Sequence, residues 1–278
     1  MPSLLTKSLG FGPLLVFLLS PTEARSQTLA SSSGDVPRVF APTRPIESPA
    51  LYPWRRNIRA SVFWVGEQPT PNNPTPNCKS SWDTRWMENF GGYDNPSPST
   101  RVGYRPRAFV PRLNPFYVAL PYNDVINHRA HKPEAERVIP WFHREFREPG
   151  RSVCHGRWIA IRKGNRIAYA QWEDCGPFNT IDWEYVFGGQ RPREEANNRP
   201  AIDLSPAVRD YLGMGGLGTV DWRFVELSEV PPGPWRQWGS NNPFVQSRQR
   251  EAEVMSNRSR AARESGGVWV RDRPTGSR

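Results

Sequence analysis

The sequence Asp-Cys-Gly-Pro-Phe at residues 174–178, followed by Ala-Ile-Asp-Leu-Ser-Pro at 201–206, decides the fold prediction. The first stretch ends a strand-like run at a Gly-Pro turn. The second joins a short apolar run to a helix start, with Ser205 as N-cap and Pro206 as the first helical residue. Gly213 then ends the helix. Each stretch carries one aspartate where the chain leaves a strand.

Five other runs have strand character. Residues 58–65 and 114–120 are rich in β-branched and aromatic residues, and residues 220–227 alternate between apolar and polar. Residues 157–162 and 166–172 flank a Gly-Asn pair, which is typical of a hairpin with a two-residue turn. The sequence therefore predicts a mainly β domain with one clear hairpin.

These pieces resemble the double-psi β-barrel domains of the rare lipoprotein A and expansin group. In that group an Asp-x-Gly-Pro-Phe segment precedes an Ile-Asp-Leu-Ser segment and a helix ending in Leu-Gly, as at 174–178 and 202–205 here. Residues 60–64 are similar to the family's first strand, and 120–122 to its Leu-Pro-Phe step. The resemblance implies an all-β, six-stranded double-psi barrel with one short helix after Asp203 and long loop insertions.

The first residues have the features of a secretory signal peptide. Lys7 gives a positive start, an apolar run from Leu9 to Leu19 follows, and small residues including Ala24 come next. The run is too short for a comfortable membrane span, and no later segment is apolar enough for a stable one. We therefore expect a secreted, periplasmic or cell-envelope protein.

Composition divides the rest of the chain. The 30 prolines and 22 glycines leave room for one core of ordinary size flanked by extended segments. The tail is Arg-rich, lacks a sustained apolar stripe and is predicted to be disordered. The predicted organisation is a signal peptide at 1–26, a Ser/Pro-rich linker at 27–50, a barrel domain at 51–232 with insertions at 68–112 and 124–153, and a disordered tail at 233–278.

The cysteines predict one disulfide. The hairpin register pairs Trp158 with Gln171 and, continued outward, places Cys154 opposite Cys175. A cross-strand disulfide between these two cysteines is expected in an exported protein. Cys78 is an alternative partner for either one, and three cysteines leave one unpaired in any arrangement.

The formal charge of +10 comes almost wholly from arginine, because only four of the 37 basic residues are lysine. The arginines are scattered and interspersed with acidic residues, so a nucleic-acid partner is not expected. The spacing of the four histidines suits neither a helical pair nor a closed zinc site. The glycines at 213–218 follow a helix rather than open one. No metal and no cofactor are expected.

Asp203 and Asp174 are the candidate catalytic pair. Glycoside cleavage needs a protonated carboxyl for the leaving oxygen and a second carboxylate to activate water or to stabilise the sugar cation. The resemblance implies that Asp203 is the acid and Asp174 its neighbour. Alternatively, Asp174 satisfies backbone N–H groups before its Gly-Pro turn, and Asp203 binds a helix start. Related enzymes place an aspartate after the first strand, where this chain has Glu67, and a histidine where it has Tyr117.

These two departures favour glycan association without cleavage. The aromatic residues predicted to line a glycan groove, with core packing as the alternative, are Trp64, Tyr117, Trp172, Phe178 and Trp183. The sequence thus predicts an exported envelope protein that associates with polysaccharide, either peptidoglycan or a cellulose-like glycan. The alternatives are a lytic transglycosylase or endoglucanase that uses Asp203, and a structural barrel without ligand.

Overall fold

A computed structural model describes residues 51–70 and 76–265. The predicted signal peptide at 1–26 and linker at 27–50 lie outside the described residues, so both remain predictions. No helix among the described residues has the length and apolar character needed to cross a membrane.

The described part of the chain forms ten strands and six α-helices. The strands are β1 (Arg55–Val62), β2 (Arg101–Val102), β3 (Arg105–Pro106), β4 (Tyr117–Leu120), β5 (Val125–Ile126), β6 (Ala130–His131), β7 (Trp158–Lys163), β8 (Arg166–Cys175), β9 (Ile202–Leu204) and β10 (Leu217–Phe224). The helices are α1 (Trp86–Phe90), α2 (Ala135–Val138), α3 (Phe142–Glu145), α4 (Trp183–Val186), α5 (Pro206–Leu212) and α6 (Pro243–Ser265).

Six strands close a barrel in the order β1, β10, β7, β8, β4, β9, and β9 returns to β1. The β1–β9 and β4–β8 pairs are parallel, and the other four pairs are antiparallel. Closure removes the exposed edge of the sheet. The predicted all-β, six-stranded barrel is therefore confirmed, with α5 as the short helix that follows β9.

The barrel interior is clearest on β10, where buried and more exposed residues alternate. On β10, Val220, Trp222 and Phe224 are buried, whereas their neighbours are more exposed. Trp222 pairs with Ile161 on β7, so Ile161 also points inward. On β8, which pairs with β7, Trp172 lies on the same inward face. Further residues of this buried cluster are Ile58, Ala60, Val118, Ile159, Ala168, Ala170, Ile202 and Leu204.

The hairpin register and the two ends of the short helix, predicted from local sequence, are also confirmed. The β7–β8 hairpin pairs Trp158 with Gln171, as predicted. The Ser205 side chain accepts a hydrogen bond from the backbone N of Val208 and caps α5. Gly213 ends α5 in the left-handed conformation, with φ of 62°.

The insertion at 68–112 packs on the outside of the barrel. α1 supplies Trp86 and Phe90 to a second apolar cluster, which also contains residues just after β1 and on the outward face of β4. The Tyr117 hydroxyl donates to Asp94 Oδ2 at 2.8 Å and accepts from the backbone N of Val65 at 3.0 Å. Asp94 also forms a buried ion pair with Arg101. This polar network holds the insertion against the strands.

The insertion at 124–153 is likewise ordered. It contains β5, β6, α2 and α3, and its Trp141 is 2% exposed. The Trp141 ring packs edge-on against Phe224 of the barrel, with 4.8 Å between ring centroids, and its Nε1 donates to Val153 O at 2.7 Å. Both insertions therefore add buried surface to the barrel.

The predicted disulfide between Cys154 and Cys175 is absent, because all three cysteines are free thiols. The regular ladder of the hairpin ends at Trp158. Beyond it, the backbone N of Gly156 donates to Trp172 O at 2.8 Å, one residue out of register. A bulge also interrupts β8 at Glu173, where it pairs with β4, so the regular ladder on which the disulfide prediction depends does not extend to the two cysteines.

The tail also differs from the prediction, since residues 233–265 are structured. Trp235 is 3% exposed and Asn242 is fully buried. Asn242 Nδ2 donates to the carbonyls of Trp235 and Trp238, both at 2.9 Å, and the Phe244 ring at the start of α6 packs edge-on against Trp158. The anchors are single residues that precede α6, which is why a search for an apolar stripe misses them. Residues 266–278 lie outside the described part.

A pair of truncations tests this attachment. Ending the chain after residue 249 should leave the melting temperature unchanged, because the described side chains of α6 beyond it are exposed. Ending it after residue 232 should lower the melting temperature clearly, because it removes Trp235, and loss of a buried Trp side chain costs about 3–5 kcal/mol. Thermal unfolding by circular dichroism measures both. Equal melting temperatures for the two truncations would contradict the attachment.

Candidate functional site

A β-bulge in β8 sets the direction of Asp174. Val118 on β4 lies opposite Trp172, but the next residue, Ala119, lies opposite Asp174, so Glu173 is an extra residue. Under regular alternation Asp174 would point inward with Trp172. The bulge turns it outward instead, an effect that bulges commonly have beside functional sites.

Asp203 lies in the same outward row. Ala119 pairs with Asp203 on its other side, and Asp203 pairs with Ser61 on β1. Residues in register on adjacent strands point to the same face of the sheet. Asp174, Ala119, Asp203 and Ser61 therefore run across the outer surface of the barrel, and the two aspartates are separated by one strand.

Asp203 is a carboxyl with a raised pKa. Desolvation is the largest cause, and the hydrogen bond that the Ser61 hydroxyl donates to Oδ1 opposes it. The negative charges of Glu67 and Asp174 raise the pKa further, to about 7. Asp203 is thus roughly half protonated near neutral pH. It does not cap α5, since Ser205 does so.

Asp174 is 8% exposed and has a lower pKa than Asp203. Desolvation raises its pKa to about 6, while backbone hydrogen bonds oppose the rise. Its Oδ1 accepts from the backbone N of Ser81 at 2.7 Å and from that of Cys175 at 2.8 Å. The expected backbone role of Asp174 is therefore present, in addition to its place beside Asp203.

Glu67 completes an acidic cluster with Asp174 and Asp203. It lies just after β1, where the backbones of Gly66 and Glu67 are bonded to that of Asn77. Glu67 Oε2 accepts from Asn77 Nδ2 at 3.0 Å. The fold therefore brings all three candidate catalytic residues together. Within the described residues, no cluster of three or more His, Cys, Asp or Glu side chains is arranged to hold a metal ion.

The predicted groove aromatics do not form one surface. Tyr117 and Trp172 are 1% and 0% exposed, so both side chains pack in the interior and neither presents a surface to a ligand in this structure. Trp172 fills the barrel interior and its Nε1 donates to Asp174 O at 2.7 Å. Trp64 and Trp183 are half-buried. Phe178 is 55% exposed, with the Arg199 guanidinium 4.9 Å from its ring centre.

A cleft that was not predicted from the sequence lies beside the start of β7 and is lined by Trp82, His155 and Trp158. The extra residue, Glu173, is 3% exposed and its Oε2 lies 2.7 Å from His155 Nε2. Asn241 Nδ2 donates to its other oxygen at 3.1 Å. The Trp82 ring lies against His155, with 5.4 Å between centroids. The only signal in the sequence was a glutamate beside Asp174, and a bulge leaves no pattern that would reveal its partner.

Glu173 favours the protonated form of His155, so the two side chains form an ion pair. Burial lowers the pKa of His155, but the charge and hydrogen bond of Glu173 outweigh that effect, and the pKa is raised above its ordinary value. A carboxylate bonded to one imidazole nitrogen fixes the orientation of the ring.

Comparisons with known proteins identify no family. No protein-family model matches the chain, and no curated protein is similar to it in sequence. Among solved structures, the chain is similar to the Streptomyces papain inhibitor, with 11% identity over 63% of this chain and 96% of that chain and a TM-score of 0.26. A likeness at this TM-score carries no inference about function.

Proposed function

We propose that the protein is an exported cell-envelope protein that associates with polysaccharide and cleaves its glycosidic bonds, with Asp203 as general acid. The observation that carries this proposal is the placement of Asp203 and Asp174 on one outward face of the barrel, one strand apart, where burial raises the pKa of both carboxyls. Neighbouring carboxyls whose pKa values are separated by their surroundings are typical of acid–base pairs.

The roles follow from protonation. Between about pH 6 and 7, Asp174 is mostly ionised while Asp203 keeps its proton for much of the time. Asp203 donates that proton to the glycosidic oxygen as the C–O bond breaks, and the Asp174 carboxylate stabilises the sugar cation. Water, or a hydroxyl of the sugar itself, then attacks the anomeric carbon and gives its proton to the Asp203 carboxylate, which restores the acid.

The spacing of the strands supports this assignment. The two aspartates lie on β8 and β9 with β4 between them. Strands in a sheet lie roughly 4.8 Å apart, so their backbones are separated by about 10 Å. Glycosidases hold their two carboxyl groups about 5–10 Å apart, which their side chains can reach from that spacing.

Polysaccharide binding without cleavage is the second candidate. The observation that favours it concerns Tyr117, which stands where the enzymes that this chain resembles have a histidine. Tyr117 is buried and its hydroxyl is bonded to Asp94 and Val65, so it does not reach a substrate at Asp203. A protein of this kind would use the glycan as an anchoring surface in the envelope.

Release of soluble saccharide from purified peptidoglycan and from cellulose, measured from pH 5 to 8, tests both candidates. Release that declines as the pH rises through about 7 supports Asp203 as the acid, because the decline follows loss of its proton. No release, with retention of the protein on the insoluble polymer, supports binding alone. Neither release nor retention would overturn both candidates.

A further inference from the structure

A cleft of about 660 Å³ opens beside the β7–β8 hairpin, on the other side of the bulge from Asp174. This volume lies within the range of small-molecule binding sites, roughly 300–1,000 Å³. Residues that line it and matter here are Trp82, Glu145, Arg151, His155, Arg157 and Glu226.

The polar groups of the cleft include both signs of charge. Glu226 accepts from Arg157 at 2.8 Å and from the Tyr52 hydroxyl at 2.9 Å, while Glu145 is bonded to Arg144 at 3.0 Å. The other two arginines of the lining are also paired, Arg147 with Glu145 at 3.8 Å and Arg151 with Glu148 at 4.0 Å. Because the carboxylates and guanidinium groups are paired, the lining does not select an anion or a cation. It offers acceptors and donors together, which suits hydroxyl groups, since each hydroxyl both donates and accepts.

Trp82 and His155 form a fixed wall of the cleft. Trp82 Nε1 donates to Asn123 Oδ1 at 3.0 Å, and its ring packs edge-on against Trp172. Nε2 of His155 is bonded to Glu173, and within the described residues Nδ1 has no hydrogen-bond partner. An aromatic ring beside fixed donors and acceptors is the arrangement that holds the apolar face of a sugar and its hydroxyls at once.

Trp82 and His155 are connected to the acidic cluster through residues that are adjacent in the sequence. The backbone N of Ser81, one residue before Trp82, donates to Asp174 Oδ1. Glu173, which holds His155, is the residue before Asp174. We propose that this cleft is a saccharide-binding subsite, which holds neutral sugar units of the same glycan that is cleaved at Asp203. The inference rests on the proposed function for the identity of the glycan and for the link to cleavage.

Binding of chitotetraose and cellotetraose, titrated calorimetrically, tests the subsite. The full chain carrying Asp203→Asn is used, so that turnover does not consume the probe. Adding Trp82→Ala should weaken binding about tenfold, the loss expected for one aromatic contact. His155→Gln, which can still donate to Glu173, should weaken binding less. Trp54→Ala is the matched control, because Trp54 is also half-buried and contacts arginines but does not line the cleft.

The outcomes separate the two proposals. Unchanged affinity of a folded Trp82→Ala variant, or no binding of either tetrasaccharide to the Asp203→Asn chain, would overturn the subsite. Affinity that is lost with Trp82→Ala and kept with Trp54→Ala supports it. The same affinity pattern with no saccharide release by the wild-type chain would uphold the subsite and overturn cleavage.

Discussion

Replacing Asp203 with asparagine should reduce saccharide release by about 10²–10⁴-fold, the contribution of one general acid. The amide keeps the shape of the side chain and can still accept from Ser61, but it has no proton to give to the leaving oxygen. Release of soluble sugar from the insoluble polymer measures the effect. Asp221→Asn is the matched control, because Asp221 also faces outward from a barrel strand but is paired with Arg162, and this variant should keep its activity. Undiminished release by Asp203→Asn would remove Asp203 from the mechanism.

The stability of the same variant separates lost chemistry from lost structure. In the folded protein the pKa of Asp203 is raised from 3.8 to about 7, so ionising this carboxyl costs folding free energy. The wild-type chain therefore loses stability from this group as the pH rises from about 4 to about 7. Asparagine does not titrate, so the variant should melt higher than the wild type at pH 8, relative to any difference at pH 4. A lower relative melting temperature at pH 8 would show that Asp203 stabilises the fold as a carboxylate.

Trp172→Ala should unfold or severely destabilise the barrel, by about 3–5 kcal/mol. Its side chain is fully buried and contacts Trp82, Phe187 and Phe224. The indole also bonds the Asp174 carbonyl, which the truncation leaves without that donor. Denaturant unfolding measures the loss. A folded Trp172→Ala chain of normal stability would contradict its place in the core.

Trp172→Phe is the matched variant for that experiment. It keeps most of the apolar volume and removes the indole N–H, so it should lose much less stability than alanine. If glycan binding fell with Trp172→Phe while stability was retained, Trp172 would have a role at the surface that its burial excludes.

Sequence patterns predicted the barrel because its strands are rich in β-branched and aromatic residues, and because β10 alternates between an apolar inward face and a more polar outward face. Strand positions shifted by up to a few residues, as for 220–227 against β10 at Leu217–Phe224. The cap at Ser205 was predictable because it depends only on neighbouring residues. The tail was not, because Trp235 is buried by tertiary packing rather than by any local periodicity.

The acidic residues of the candidate site could be predicted from the sequence, but the positions of the aromatic side chains around them could not. Asp174, Asp203 and Glu67 were found from short motifs, and the fold brings them together. The burial of Tyr117 and Trp172 could not be predicted, because an aromatic side chain that stacks on sugar and one that fills a core have the same sequence signature. Trp82 lies in the first insertion and His155 lies just after the second, and no motif indicated that the two side chains would meet.

The extra residue in β8, Glu173, indicates how the cleft could arise beside the acidic cluster. If Glu173 were deleted, regular alternation after Trp172 would still turn the aspartate outward, toward Ala119 and Asp203. The carboxyl that holds His155 would be lost. A single-codon insertion in an ordinary strand would therefore be enough to add a second polar position without displacing the first. Neighbouring residues of β8 would then contribute to two surfaces, Glu173 to the cleft and Asp174 to the acidic cluster. The cleft could be gained without loss of the Asp174–Asp203 pair.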